Sequence, residues 1–273
     1  MNLIDHAHSQ MSITRQTQLL GISRSSVYYE SEVNEQDIRT MHAIDEIFTD
    51  YPFYGSRRIR YELAQRHGIM ANRKRIQRMM RLMGLEAIYP KKYKGLSDPS
   101  GTHEKYPYLL TNVTASFPNH IWGTDITYVR LETGFAYLVA LLDWFSRYVI
   151  AWQLSPNLKI EFCLENLKRG LTVNIPDIHN SDQGSHFTSP RYTDLLTAKN
   201  VQISMDGRGR CMDNIFTERL WRTVKYENVF LKSYQDMKEA GHGLTEYFQF
   251  YNEKRPHQSL GYRTPAEIYH SKN

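Results

Sequence analysis

Three acidic residues stand where acids are uncommon. Asp125 opens the strand-forming run Ile126-Thr127-Tyr128-Val129 in "WGTDITYV", although Asp is depleted in strands because its short carboxylate competes for backbone hydrogen bonds. Asp182 follows a short strand predicted at 177–180, and Gly184 comes two residues later in "HNSDQGSHF", allowing close approach of backbone or ligand. Glu218 lies in "DNIFTERLWRTVKYE", with thirty-five residues between it and Asp182. Carboxylates brought within ~4 Å of one another repel by about 4 kcal/mol at an effective dielectric near 20, so converging acids need a proton or a cation. Oxygen-only donors favour Mg²⁺ or Mn²⁺ over zinc. Two such ions about 3.5–4 Å apart could activate a nucleophile and stabilise a leaving oxygen in an in-line phosphoryl displacement. That chemistry requires no serine, cysteine or lysine nucleophile.

The helix expected to carry Glu218 is amphipathic. At about 100° per residue, Arg222 falls about 40° and Lys225 about 20° from Glu218. Phe216, Leu220 and Val224 occupy the opposite side, between about 160° and 240°. Asp213 is placed to cap its start, and Glu227, about 180° round, points away from Glu218. The bland account of the polar face is a ladder of ion pairs one and two turns apart.

These acids need a scaffold, and the second half of the chain supplies one. Strands are predicted at 122–131, 135–142 and 148–154, with Gly134 and the 143–147 stretch at the turns. A helix from 159 to about 172, a strand at 177–180, a helix near 190–199, a strand at 201–204 and a helix from Asp213 follow. Three antiparallel strands, then helix, strand, helix, strand, helix is the element order of a ribonuclease-H-like α/β core.

The first ninety residues have another texture, that of short helices. "SITRQTQLLGISRSSVYYE" reads as helix, glycine turn, helix, with Ser23 as a cap and Arg24, Ser25 and Ser26 at the start of the second helix. After an acidic connector, "YGSRRIRYELAQRHGIMANRKRIQRMMRLMGLEAIYP" predicts two more helices, the first ended by Gly68 and the second capped by Asn72. Ile76, Met79, Met80 and Met83 form its apolar stripe, read as core. From Arg57 to Lys94 there are twelve Lys and Arg against Glu62 and Glu86 alone, a local charge of +10 in a chain whose total is +5. A basic lobe on a slightly acidic remainder is the electrostatic footprint of a nucleic-acid binder. The expected organisation is a helical DNA-binding region at 1–89, with tandem helix-turn-helix units, a basic linker at 90–112, and a catalytic core with a helical tail at 113–273.

Several classes are excluded. With 41% apolar residues the chain is globular rather than disordered. The longest apolar run, "FAYLVALL", is far short of a membrane span, and no signal peptide is present at the start. Two cysteines, Cys163 and Cys211, provide neither a disulfide framework nor a four-thiolate zinc site, which fits a reducing compartment.

The chain resembles the second-reading-frame transposase of the insertion sequence 3 family, within the DDE transposase and retroviral integrase superfamily. "YPFYGSRRIRYEL" with "NRKRIQRMMRLMGL" is similar to the family's helix-turn-helix region. "WGTDITYV", "LLDWFSRYVIAW", "HNSDQGSHFTS" and "CMDNIFTERLWRTVKYE" resemble its integrase core, and "YFQFYNEKRPHQSLGYRTPAEIY" its closing signature. The resemblance runs nearly end to end. Arg219 stands where the family often has a small residue, and Met212 where an aromatic is commoner.

The resemblance implies a bacterial metal-dependent recombinase, working at the nucleoid in the cytoplasm, that nicks and joins double-stranded DNA at the inverted-repeat ends of a mobile element. Asp125, Asp182 and Glu218 would be its catalytic metal ligands, holding two Mg²⁺ ions for which Mn²⁺ can substitute. Lys225 matches a basic residue that touches the element end. The implied partners are DNA, further copies of the chain assembled on it, and an upstream-frame protein or fusion. Candidate DNA contacts are Arg222, Arg57, Arg58, Arg73, Lys74, Arg75, Arg78, Lys91, Lys92, Arg208 and Arg210. The last two lie in "GRGR", read as a connector with its arginines on phosphate.

Other candidates have plainer readings. Asp143 is assigned a structural role, pairing with Arg147, and His186 a packing role. The aromatic stripe Tyr247, Phe248, Phe250 and Tyr251 is read as core, with Arg255 a weaker candidate for DNA. Two other functions stay open on sequence alone. One is a catalytically silent end-binding regulator, which predicts damaged acids. The other is a nuclease for RNA–DNA hybrids, which would need no sequence-reading helices.

Overall fold

A computed structural model describes residues 4–8, 10–28, 34–88, 106–206 and 214–271. Helix α1 (Ile13–Leu19) is capped by the Ser12 side chain, and α2 (Arg24–Val27) by that of Ser23. Gly21 provides the left-handed turn between them, at φ +63°. Helix α3 (Glu35–Asp50) follows, capped by Asn34, then α4 (Ser56–His67) and α5 (Arg73–Leu82), capped by Asn72. Gly68 ends α4 in the left-handed conformation, as its position predicts.

The acidic connector is therefore corrected to a sixteen-residue helix. Its acids other than Asp37 stay at the solvent face while Thr40, Ala43, Ile44 and Ile47 are buried, one stripe at helical spacing. That stripe is short and flanked by charge, which hides it in the sequence. It completes a small core with Ile59, Leu63, Ile76, Met79 and Met80, so the methionine stripe is indeed core.

The remainder is built on a five-stranded mixed sheet, ordered β3-β2-β1-β4-β5. Strands β1 (Ile121–Leu131), β2 (Gly134–Asp143) and β3 (Val149–Ser155) run antiparallel. Helix α6 (Ile160–Val173) leads to β4 (Ile178–Ser181), and α7 (Pro190–Thr197) to β5 (Gln202–Met205). Both β4 and β5 join in parallel, β4 directly beside β1. This is a ribonuclease-H-like α/β core preceded by a helical region.

Alternation along β2 divides the hydrophobic interior. Ala136, Leu138, Ala140 and Leu142 face one helical layer, made of α8 (Ile215–Val224) and α10 (Met237–Glu253). Val139 and Leu141 face the other, where Phe162, Leu167, Tyr192 and Leu196 of α6 and α7 pack. Between α8 and α10 lie a π-helical turn (Lys225–Val229) and α9 (Phe230–Lys232). A 3₁₀ turn (Gln258–Leu260) and α11 (Pro265–Tyr269) close the chain, α11 with a capping box from Thr264 and Glu267.

The helical region rests on this tail. Tyr51 stacks on Phe250 at 5.3 Å and Tyr61 on Tyr262 at 5.1 Å. The stretch read as linker is described from Tyr106 onward, and there it lies against the core: Leu110 is buried and the Leu109 N–H donates to Ser204 Oγ at 3.1 Å. Among the described residues no helix is long and apolar enough to cross a membrane.

Candidate active site

The parallel register of β1 and β4 pairs Ile121 with Ile178, Trp122 with His179 and Gly123 with Asn180. Two residues past the last pair come Asp125 and Asp182, near enough for the charge of Asp182 to act on Asp125. A strand interior thus holds one acid, and the end of its neighbour presents the other. The Asp182 carboxylate accepts the Gly184 N–H at 2.9 Å. A Cβ on Gly184 would lie 2.8 Å from Asp182 Oδ1, so glycine is what lets the turn fold onto the acid.

Glu218 is brought in by helix α8, which lies unusually close to β1. A Cβ on Gly123 would lie 2.2 Å from Trp144 Nε1 and 2.8 Å from Thr217 Oγ1, so no larger residue allows this approach. Two side chains, the cap residue Asn214 and Trp221, stitch it to the strand, and Thr217 braces the cap. Asn214 Nδ2 donates to the Thr124 carbonyl at 3.1 Å, Thr217 Oγ1 to Asn214 Oδ1 at 2.5 Å, and Trp221 Nε1 to Asp125 Oδ2 at 3.0 Å. Glu218, next to Thr217, remains exposed on the same helix. Asn214 and Trp221 are the positioning residues that sequence reading missed; their only signal is that with Thr217 they repeat at helical spacing. Asp213, expected to cap this helix, lies outside the described residues.

All three carboxyls are pushed above their ordinary range. Burial raises Asp125 to about 7, Asp182 and Glu218 adding to the rise against the N–H donors of Ile126 and Trp221. Desolvation raises Asp182, opposed by the Gly184 N–H and by His186, and raises Glu218. Lys225 is half-buried and desolvation lowers it, with Asp125 acting in the other direction. Charge is therefore concentrated here without full compensation, the state a bound cation relieves. Among the described residues no three acidic, histidine or cysteine side chains close tightly enough on one point to hold an ion.

The other candidates distribute plainly. Asp143 is fully buried and structural. Its partners are the Asn119 N–H at 2.7 Å and the N–H and hydroxyl of Ser146 at 2.7 and 2.5 Å, while the Arg147 guanidinium donates to the Trp144 carbonyl instead. His186 Nε2 meets the Leu158 carbonyl at 2.9 Å. Arg57, Arg73 and Lys74 are exposed. Arg75 and Arg78 both bind Asp37, at 2.5 and 2.7 Å, and Arg58 binds Glu227 at 2.8 Å. Arg222 is exposed, its guanidinium 5.7 Å from the Tyr226 ring centroid. Arg255 is buried on Glu227. Lys91, Lys92, Arg208 and Arg210 lie outside the described residues.

Comparison with known proteins decides the family. Residues 115–211 and 199–265 match integrase core domain models, and residues 35–93 match an HTH-like domain. The transposase for insertion sequence element IS904 of Lactococcus lactis is 32% identical over 221 residues, covering 79% of this chain and 87% of that protein. The chain belongs to the insertion-element transposases of the integrase superfamily. The putative transposase InsK of IS150 from Escherichia coli K12 is 30% identical, over 90% of this chain and 89% of its own. Among solved structures, the HTLV-2 integrase catalytic core in complex with magnesium is 18% identical, with a TM-score of 0.47, over 58% of this chain and all of that one. As a transposase with an integrase core, the chain is a polynucleotidyl transferase of the DDE type.

Proposed function

We infer that this transposase binds the inverted-repeat ends of its element as double-stranded DNA, and that Asp125, Asp182 and Glu218 carry out DNA cleavage and strand transfer. The observation that supports the reading is that β1 and β4 pair up to two residues short of Asp125 and Asp182, and that the charges of Asp182 and Glu218 both act on Asp125. The donor chemistry fits a divalent cation: three carboxyls, oxygen donors only, each raised by desolvation. Asp125, Asp182 and Glu218, which do not close on one point in this structure, would have to draw together to hold two Mg²⁺ ions, or Mn²⁺ in their place. Bound there, they supply Lewis acidity to the scissile phosphate and lower the pKa of the attacking hydroxyl.

The chain's own residues do the rest. The strand and the Trp221 N–H hold Asp125 rigid, and rigidity is what an in-line displacement needs. Lys225 places a cation beside Asp125 and suits contact with the element end. Arg222, one turn from Glu218 on the exposed side, suits a backbone phosphate. Arg57, Arg73 and Lys74 offer exposed charge on the helical region. Water or a 3′-hydroxyl is the first nucleophile, and the element's 3′-hydroxyl the second. Assembly of several copies on DNA, and joining to an upstream-frame protein, complete the reading.

Asp182→Asn tests it. Mg²⁺-dependent strand joining should be lost with duplex binding intact; joining that survives would overturn the assignment. The presence of all three acids speaks against a silent regulator. Cleavage of an RNA–DNA hybrid in preference to duplex DNA would favour the nuclease reading instead.

A further inference from the structure

A cavity of about 420 Å³ opens on the other flank of α8. At about 100° per residue, Arg219 and Thr223 in its wall lie about 100° and 140° round the helix from Glu218. Trp221, which touches Asp125, lies about 60° round in the opposite sense. The cavity is thus separate from the three acids, although one helix serves both. Arg222, between Glu218 and Arg219 on the wheel, continues basic surface from one to the other.

Its walls converge from four parts of the fold. Arg58 comes from α4, Arg147 from the turn between β2 and β3, Arg219 and Arg222 from α8, and Arg255 from the end of α10. Among the described residues Glu227 is the sole carboxylate of the lining, so five arginines against one acid leave a formal +4 there. Glu227 is also fully engaged, accepting from Arg255 Nε at 2.6 Å, Arg255 Nη2 at 2.7 Å, Arg58 Nη1 at 2.8 Å and the Tyr247 hydroxyl at 2.9 Å. Among the described residues Arg147, Arg219 and Arg222 have no carboxylate partner.

The cluster is held in place against its own repulsion. Arg147 is a non-glycine residue in the left-handed region, at φ +65°, in the turn that buried Asp143 shapes through Ser146. Such backbone persists only where its surroundings over-determine it, commonly at functional sites. Its guanidinium is stacked 3.4 Å over the Phe216 ring. His257, also in the wall, reports the field: burial and the guanidiniums of Arg255, Arg58 and Arg147 pull it down to about 2. Since arginine only donates, His257 Nε2 accepts from Arg255 Nη1 at 2.9 Å, and the ring is neutral with its proton on Nδ1.

We propose that this cavity is a second anion site, in which Arg147 and Arg219 grip a backbone phosphodiester of bound DNA away from the scissile bond. Guanidinium forks match phosphate oxygens in geometry as well as charge. The site rests on reading the chain as a DNA-joining enzyme. The basic strip through Arg222 favours an extended polyanion over a free phosphate or nucleotide, which shares the chemistry but needs no strip.

The test is fluorescence anisotropy of the full chain on a labelled random-sequence duplex, without metal, across a range of salt. Arg219→Gln and Arg147→Asn, the latter tolerant of left-handed backbone, should each weaken binding several-fold. Each should also reduce the slope of log affinity against log salt by about 0.9, the loss of one phosphate contact. Arg219→Lys should restore the slope. Arg219 is exposed and has no ion-pair partner among the described residues, so its variant keeps the parent melting temperature. An unchanged slope in both variants overturns the proposal, whatever happens to joining. Tight calorimetric uptake of inorganic phosphate or thymidine monophosphate, lost in Arg219→Gln, overturns the assignment to DNA. The catalytic reading is tested separately, by joining in Asp182→Asn.

Discussion

The indole N–H of Trp221 donates to Asp125 Oδ2 at 3.0 Å, tying the strand acid directly to the helix that carries Glu218. One bond thereby sets both the orientation of Asp125 and the distance between two elements whose sequences lie far apart.

Trp221→Phe keeps the packing and removes the donor. A hydrogen bond to a charged group contributes roughly 1.5–3 kcal/mol. Strand joining should fall by about tenfold or more, each ~1.4 kcal/mol of barrier being a factor of ten. Duplex affinity, read by anisotropy, should stay at the parent value. Joining at the parent rate would mean that the indole does not position Asp125.

Asp125→Asn should stabilise the metal-free protein. Burial raises the Asp125 carboxyl to about 7, so the folded state retains a proton that the unfolded chain releases near its ordinary pKa. Stability therefore falls as pH rises from about 4 to about 7, by at most about 4 kcal/mol at ~1.4 kcal/mol per pKa unit. The amide has no charge to desolvate. Melts in EDTA at pH 5 and pH 8 should show this fall in the parent and not in the variant. Added Mg²⁺ should raise the melting temperature of the parent only.

Glu227 holds the opposite sign. Arg255 and Arg58 outweigh its desolvation and keep its carboxyl below the ordinary range. Its contribution is present above the unfolded pKa and is lost as pH falls through the lower folded value. Glu227→Gln strands buried Arg255 without a counter-ion, a change that typically destabilises by about 3–5 kcal/mol. The melting temperature should drop by several degrees at neutral pH, and the loss of stability on acidification should shrink. A variant that melts like the parent would refute this account of the contact between the helical region and the core.

Arg73 and Lys74 are exposed at the start of α5, whereas Arg75 and Arg78 share Asp37. The double substitution Arg73→Gln with Lys74→Gln should lower the salt slope of duplex binding by about 1.8, two contacts at ~0.9 each. Thermal melting should be unchanged, because neither residue has an ion-pair partner among the described residues. A slope equal to that of the parent would move DNA recognition off this helix.

Much of this was legible in local sequence. Strand-forming residues marked β1 and a continuous apolar run marked β2, each to within a residue or two, and the caps Ser23 and Asn72 stand where their side chains place helix starts. These features depend on neighbours a few positions away, and propensity and periodicity encode such neighbours. Helix α3 escaped because its acidic face outweighs a narrow apolar stripe.

The identities of Asp125, Asp182 and Glu218, their order along the chain and the elements that carry them were determined by the sequence itself. Tertiary structure alone decided that β1 and β4 pair in parallel, which brings Asp182 near enough to act on Asp125, and that Trp221 bonds Asp125. It also decided which arginines are taken, Arg58 by Glu227 and Arg75 and Arg78 by Asp37, and which face a shared cavity. The reason is physical. A charged side chain takes whichever partner packing brings within about 3 Å, and for Arg58 and Glu227 that partner lies 169 positions away along the chain.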